Sequence, residues 1–144
     1  MVGFSPGSAN EHGGASMRRS FLLIGKLQMN DFPLTYKTAK EIELRKVVNK
    51  PLFGLGRLVA TPGALDVLTE AQCPPNRLLQ RHQTGDWGEL CTADKAANDH
   101  ALLSGGRILS VYSVEGIRLY VITEAVNDDR QARESTCILL PSEY

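Results

Sequence analysis

The sequence predicts an α+β domain, about three helices packed on a three- to four-stranded, mostly antiparallel sheet that ends in a C-terminal β-meander. Three observations carry that prediction. One strand-like segment near residue 55 is followed by three segments with helix starts and stops, and the chain closes on three strand-like segments separated by turn residues. A composition of 42% hydrophobic and 22% charged residues over 144 positions is that of one globular domain, long enough to bury a core without metals or disulfides.

Taken in order, residues 1–20 are rich in Gly, Ser, Asn and charge and show no apolar period, so disorder is expected there. Met17 and Met29 offer alternative starts, and a start at Met29 removes nothing assigned to the core. Residues 38–49 read as a charged helix with an imperfect apolar stripe of Ala39, Ile42, Leu44 and Val47 or Val48. The domain plan is therefore a disordered or non-native leader over 1–28, a basic linker and helix over 29–51, and a single α+β domain over 52–144.

Within that domain, residues 53–60 alternate loosely and read as a strand that Gly54 and Gly56 weaken or bulge. The two glycines lack the third glycine and the immediate helix of a dinucleotide-binding turn, so no cofactor is expected. Thr61-Pro62 is a helix opening: the Thr hydroxyl caps exposed amides and proline is tolerated at the first helical position. Ala64, Leu65, Leu68 and Ala71 form the apolar face of that helix. Pro74-Pro75 closes it and opens another, in which Leu78, Leu79 and His82 share a side before Gly85. A third helix spans 92–103, with Thr92 as its cap, Ala96, Ala97, His100 and either Ala101 or Leu103 on its buried side, and Gly105-Gly106 at its end. Residues 107–114 and 117–124 are strands joined by a tight Glu115-Gly116 turn, and a polar loop over 127–134 precedes a last strand over 135–140. Apolar residues on both faces of the first two strands predict cover on both sides.

Charge divides the chain unevenly. Up to Thr61 there are nine Lys/Arg against four Asp/Glu, and beyond it seven against twelve. An acidic body is unsuited to gripping a phosphate backbone over a broad face, so nucleic acid is disfavoured and a protein partner preferred. Cys73, Cys91 and Cys137 are odd in number and lack CxxC spacing, which excludes a disulfide framework and a zinc ribbon and fits a reducing cytoplasm. Cys91 and His100 are too few and too poorly spaced for a metal site. The apolar run from Phe21 to Ile24 is too short for a membrane span or for export, and nothing in the sequence fixes the oligomeric state.

The densest run of chemically capable residues is Arg81-His82-Gln83-Thr84-Gly85-Asp86-Trp87-Gly88-Glu89. It admits two readings. As a site, it supplies a proton carrier, a carboxylate and an aromatic, with Asp86, Trp87 and Asn98 as candidate binding residues. As architecture, Asp86 and Glu89 have the spacing of a helix capping box, Trp87 is a core anchor and His82 suits a helix C-terminus. Isolated on an apolar helix face, His100 reads as a satisfied core histidine.

The stretch Leu58-Val59-Ala60-Thr61-Pro62-Gly63-Ala64-Leu65, then Arg81-His82, Gly85-Asp86-Trp87-Gly88, Asn98 with Ala101-Leu102, Gly106-Arg107-Ile108, Val121-Ile122-Thr123-Glu124 and Leu139-Leu140-Pro141-Ser142-Glu143-Tyr144 resembles a family of small uncharacterised proteins carried on bacterial plasmids and integrative elements, some with restriction-subunit names. The resemblance covers roughly residues 52–144, implies a mobile-element accessory role, and is silent on activity. Relatives often have a shorter loop where this chain carries residues 126–134. A second likeness, to nucleases of the barnase, colicin and RelE type, implies a metal-independent RNase with His82 as general acid or base, Arg107 stabilising the phosphorane-like charge, and Tyr112 or Thr123 positioning substrate.

Overall fold

The computed structural model describes residues 22–26, by their backbone, and 33–144. Those residues form an α+β fold of four α-helices, a five-stranded sheet and a separate two-stranded one: β1 (Leu22–Lys26), α1 (Ala39–Val47), β2 (Arg57–Ala60), α2 (Pro62–Glu70), α3 (Pro75–Gln83), α4 (Thr92–Ser104), β3 (Ile108–Val114), β4 (Ile117–Thr123), β5 (Val126–Asn127), β6 (Ala132–Arg133) and β7 (Ser135–Leu139). The sheet order is β1-β2-β7-β4-β3, with β2 and β7 parallel and every other pair antiparallel.

Three expectations about the elements themselves are corrected first. Residues 22–26, assigned to the leader by sequence, pair with β2, so a start at Met29 would delete a strand; the rest of that leader lies outside the described residues. The polar loop contains its own hairpin, in which Val126 and Asn127 pair with Arg133 and Ala132. Thr92 is the first helical residue of α4 rather than its cap, which is Cys91 and makes no side-chain capping bond.

Local chemistry explains the remaining boundaries. Thr61 Oγ1 accepts the Ala64 N–H at 3.2 Å, and Pro62 opens α2. Glu115 and Gly116 both have positive φ, 54° and 82°, the turn whose twist matches a tight antiparallel hairpin. Gly105 ends α4 in the left-handed conformation.

The register lays two buried rows across the sheet. Leu58, Thr136, Thr123 and Ile108 form one, and Ala60, Ile138, Val121 and Ser110 the next. Apolar members of these rows and buried residues of all four helices make one core. On the opposite face of the sheet Val111, Ile122 and Leu139 are also buried, although no part of that cluster. The helices differ in how well their sequences announced their inner faces. Ala64, Leu65 and Leu68 of α2 are buried as expected. In α4 the buried residues are Asn98, Ala101 and Leu102, while Ala96, Ala97 and His100 are exposed, so His100 is no core histidine. In α1 only Ile42 is buried, and Leu44, Val47 and Val48 face solvent.

Candidate functional site

His82 stands on the sheet floor with no solvent exposure. Its Nδ1 lies 2.6 Å from Ser110 Oγ and its Nε2 2.9 Å from Thr123 Oγ1. Thr123 Oγ1 in turn lies 2.7 Å from Thr136 Oγ1, whose hydroxyl donates to the Leu55 carbonyl at 2.8 Å. Proton counting along this chain fixes the tautomer. Thr136 spends its only proton on Leu55, so Thr123 must donate to Thr136 and accept from His82. Nε2 therefore carries the hydrogen, and Nδ1 accepts from Ser110. Burial, reinforced by the positive charge of Arg133, lowers the His82 pKa to about 3, so the ring is neutral at physiological pH. Phe53 and Trp87 close over it edge-on, with ring centroids 5.2 and 6.1 Å away.

The other residues of the cluster are equally committed. Asp86 caps no helix and forms no capping box. Its Oδ1 accepts the Gly88 N–H at 3.2 Å and its Oδ2 pairs with Arg81 Nε at 2.6 Å. Burial raises the Asp86 carboxyl, but the bonds from Arg81 and Gly88 outweigh it and hold the group below the usual carboxylate range. The Arg81 guanidinium stacks 4.4 Å from the Tyr112 ring, and the Tyr112 hydroxyl donates to the Asp86 carbonyl at 2.5 Å. Trp87 is buried and donates through Nε1 to Asp99 Oδ1, the oxygen that also receives Lys46 Nζ.

Asn98 and Gly88 close the outer edge of β3. The Asn98 amide donates to the Leu109 carbonyl at 2.6 Å and its Oδ1 accepts the Leu109 N–H at 3.1 Å, replacing an absent strand. Two residues on, Glu89 N–H donates to the Val111 carbonyl and the Val111 N–H donates to Trp87, forming a one-residue parallel bridge between Gly88 and Val111. A methyl at Gly88 would sit 1.9 Å from the Val111 carbonyl oxygen, and its φ is +76°, so this approach requires glycine.

The catalytic quartet implied by the nuclease likeness is therefore not gathered into an open cleft. Thr123 is buried against His82, and Tyr112 is buried with its hydroxyl on the Asp86 carbonyl. Arg107 is exposed, 3.6 Å from Glu124 and bonded to the Tyr144 hydroxyl at 2.9 Å. Among the described residues no group of three His, Cys, Asp or Glu side chains is placed to hold a metal. No described helix is long and apolar enough to cross a membrane.

An accessible concavity lies instead on the other side of α3. A groove of about 560 Å³ runs between that helix and the chain after α1, lined by Asn49, Asn76, Arg77, Gln80, Arg81 and Thr84 among others, with no carboxylate in its lining. Sequence reasoning passed over this face, although its signal was present. Residues 75–84 contain no Asp or Glu, and Asn76, Arg77, Gln80 and Arg81 recur on the side opposite Leu78 and Leu79. No protein-family model, curated protein or solved structure matches this chain.

Proposed function

We propose that this protein is a non-enzymatic accessory protein that acts by binding a protein partner, and that the outer face of α3 is its contact surface. The observation that carries this reading is a contrast between two sides of one helix. The inner side spends His82 on the core, whereas the outer side offers Arg77, the edge of Arg81 that Asp86 leaves open, and the Asn76 and Gln80 amides to solvent in a groove whose lining holds no acid. A buried imidazole with both nitrogens bonded and its pKa held near 3 is a poor general acid or base at neutral pH. The resemblance of residues 52–144 to proteins of plasmids and integrative elements supports a host or defence protein as the partner.

Affinity capture with the full chain, quantified against bait, is the test. A stoichiometric protein partner, together with labelled RNA left intact by the purified protein, is the expected result. RNA cleavage that disappears in a folded His82 variant would replace this reading with the nuclease one.

A further inference from the structure

Three surfaces outside the His82 centre offer themselves: the exposed apolar residues of α1, the buried guanidinium of Arg133, and the α3 groove. Leu44, Val47 and Val48 make an apolar patch, but no feature beside it selects an occupant. Arg133 bonds the carbonyls of Gly106, Glu124 and Ala101, and so ties the β5–β6 hairpin to the end of α4. The groove goes further, because its side chains have both a charge and a spacing.

Arg77 and Arg81 are four residues apart on α3, as are Asn76 and Gln80. On a helix that separation is about 6 Å along the axis, on nearly the same side. Alternate residues of an extended chain are about 6.8 Å apart and point the same way. An extended segment lying along α3 can therefore meet both arginines with side chains two residues apart, while the Asn76 and Gln80 amides reach its backbone groups. Among the described residues no carboxylate pairs with Arg77. Asp86 takes only the Nε of Arg81 and shows that a carboxylate is the natural mate of this guanidinium.

Resting on the binding function proposed above, we infer that the α3 groove recognises an extended acidic segment of its partner, with carboxylates at alternate positions facing Arg77 and Arg81. Duplex nucleic acid fits the same arginines less well. In a DNA-reading helix pair the first helix crosses the phosphate backbone. Here α2, joined to α3 by residues 71–74, exposes Asp66 and Glu70 and carries no Lys or Arg.

Fluorescence anisotropy on the full chain tests the inference with labelled peptides of one composition whose glutamates lie two or four residues apart, beside labelled DNA and RNA oligonucleotides. The two-apart peptide should bind about tenfold more tightly than the four-apart one, lose about tenfold in the Arg77→Ala variant, recover part of that loss in Arg77→Lys, and dissociate in about 0.5 M salt. Circular dichroism of each variant should be unchanged, because Arg77 is exposed. Equal binding of both peptides, indifference to Arg77, absence of peptide binding, or tighter Arg77-dependent binding of an oligonucleotide would each overturn the inference. The captured partner separates this failure from a broader one. Capture that needs Arg77 but involves a neutral segment removes the acidic-strand inference and keeps the binding function, whereas no capture removes both.

Discussion

Replacing His82 by alanine should cost this protein a large part of its stability. Ser110 Oγ loses the acceptor of its hydroxyl at 2.6 Å, and Thr123 Oγ1 loses its donor at 2.9 Å while keeping its bond to Thr136. Leaving a buried polar group unsatisfied costs about 1–3 kcal/mol, and emptying a space between Phe53 and Trp87 adds about 2–3 kcal/mol of lost packing. The sum is on the order of 5 kcal/mol, against a total of about 5–15 for a domain of this class. Urea unfolding followed by circular dichroism reads the loss directly. The same site predicts a pH profile. The His82 pKa is lowered from 6.5 to about 3 in the folded state, so below pH 6.5 the unfolded chain binds a proton that the folded one refuses. Stability is therefore complete above pH 6.5 and declines as pH falls toward 3, by about 1.4 kcal/mol per unit. Asp86, whose pKa lies below its ordinary 3.8, loses its contribution only at lower pH and leaves the window from 6.5 to 4.5 to His82. His82→Leu should flatten that window. A loss under about 1 kcal/mol for His82→Ala, the range of a surface change, would refute the sealed centre, as would a profile unaltered by His82→Leu.

Two further substitutions probe the closed edge of β3. Gly88→Ala places a methyl 1.9 Å from the Val111 carbonyl at a φ of +76° and should cost at least about 2 kcal/mol in chemical denaturation; a neutral effect would mean that the bridge to Val111 is not formed. Asn98→Leu leaves both the Leu109 N–H and its carbonyl without a mate, for a loss of about 2–4 kcal/mol, and uncovers an edge able to recruit another strand. Sedimentation velocity should show that variant associating beyond the parent, and a pattern identical to the parent's would contradict the role given to Asn98.

What the sequence made legible was local. Thr61-Pro62, Glu115-Gly116 and Gly105 each set a backbone conformation within a few residues, and each element boundary they mark is found. Apolar stripes were readable where they were strong, as in Ala64, Leu65 and Leu68. They misled where alanine blurred the period: α4 buries the expected Ala101 but with Asn98 and Leu102, and leaves Ala96, Ala97 and His100 exposed. Non-local pairing left no mark that spacing could find. The partner of β1 lies more than thirty residues downstream, in β2. The fate of His82 depends on Ser110 and Thr123, 28 and 41 residues away on two different strands. That His82 shares a side with Leu78 and Leu79 did point to burial, but whether a buried histidine is sealed or lines a cleft is decided by the strands beneath it. The outer face of α3 was legible in composition alone, and its absence of acids became informative only once a groove was seen beside it.

The most direct test of the account compares two charge reversals of equal size in the complex with the captured partner. Arg77→Glu changes the α3 groove, and Arg57→Glu changes an exposed position on β2 outside the groove's lining. Calorimetric titration of each variant with the partner should show binding lost with Arg77→Glu and retained with Arg57→Glu, both proteins remaining folded. Equal affinities for the two variants would contradict the claim that this protein works through the outer face of α3.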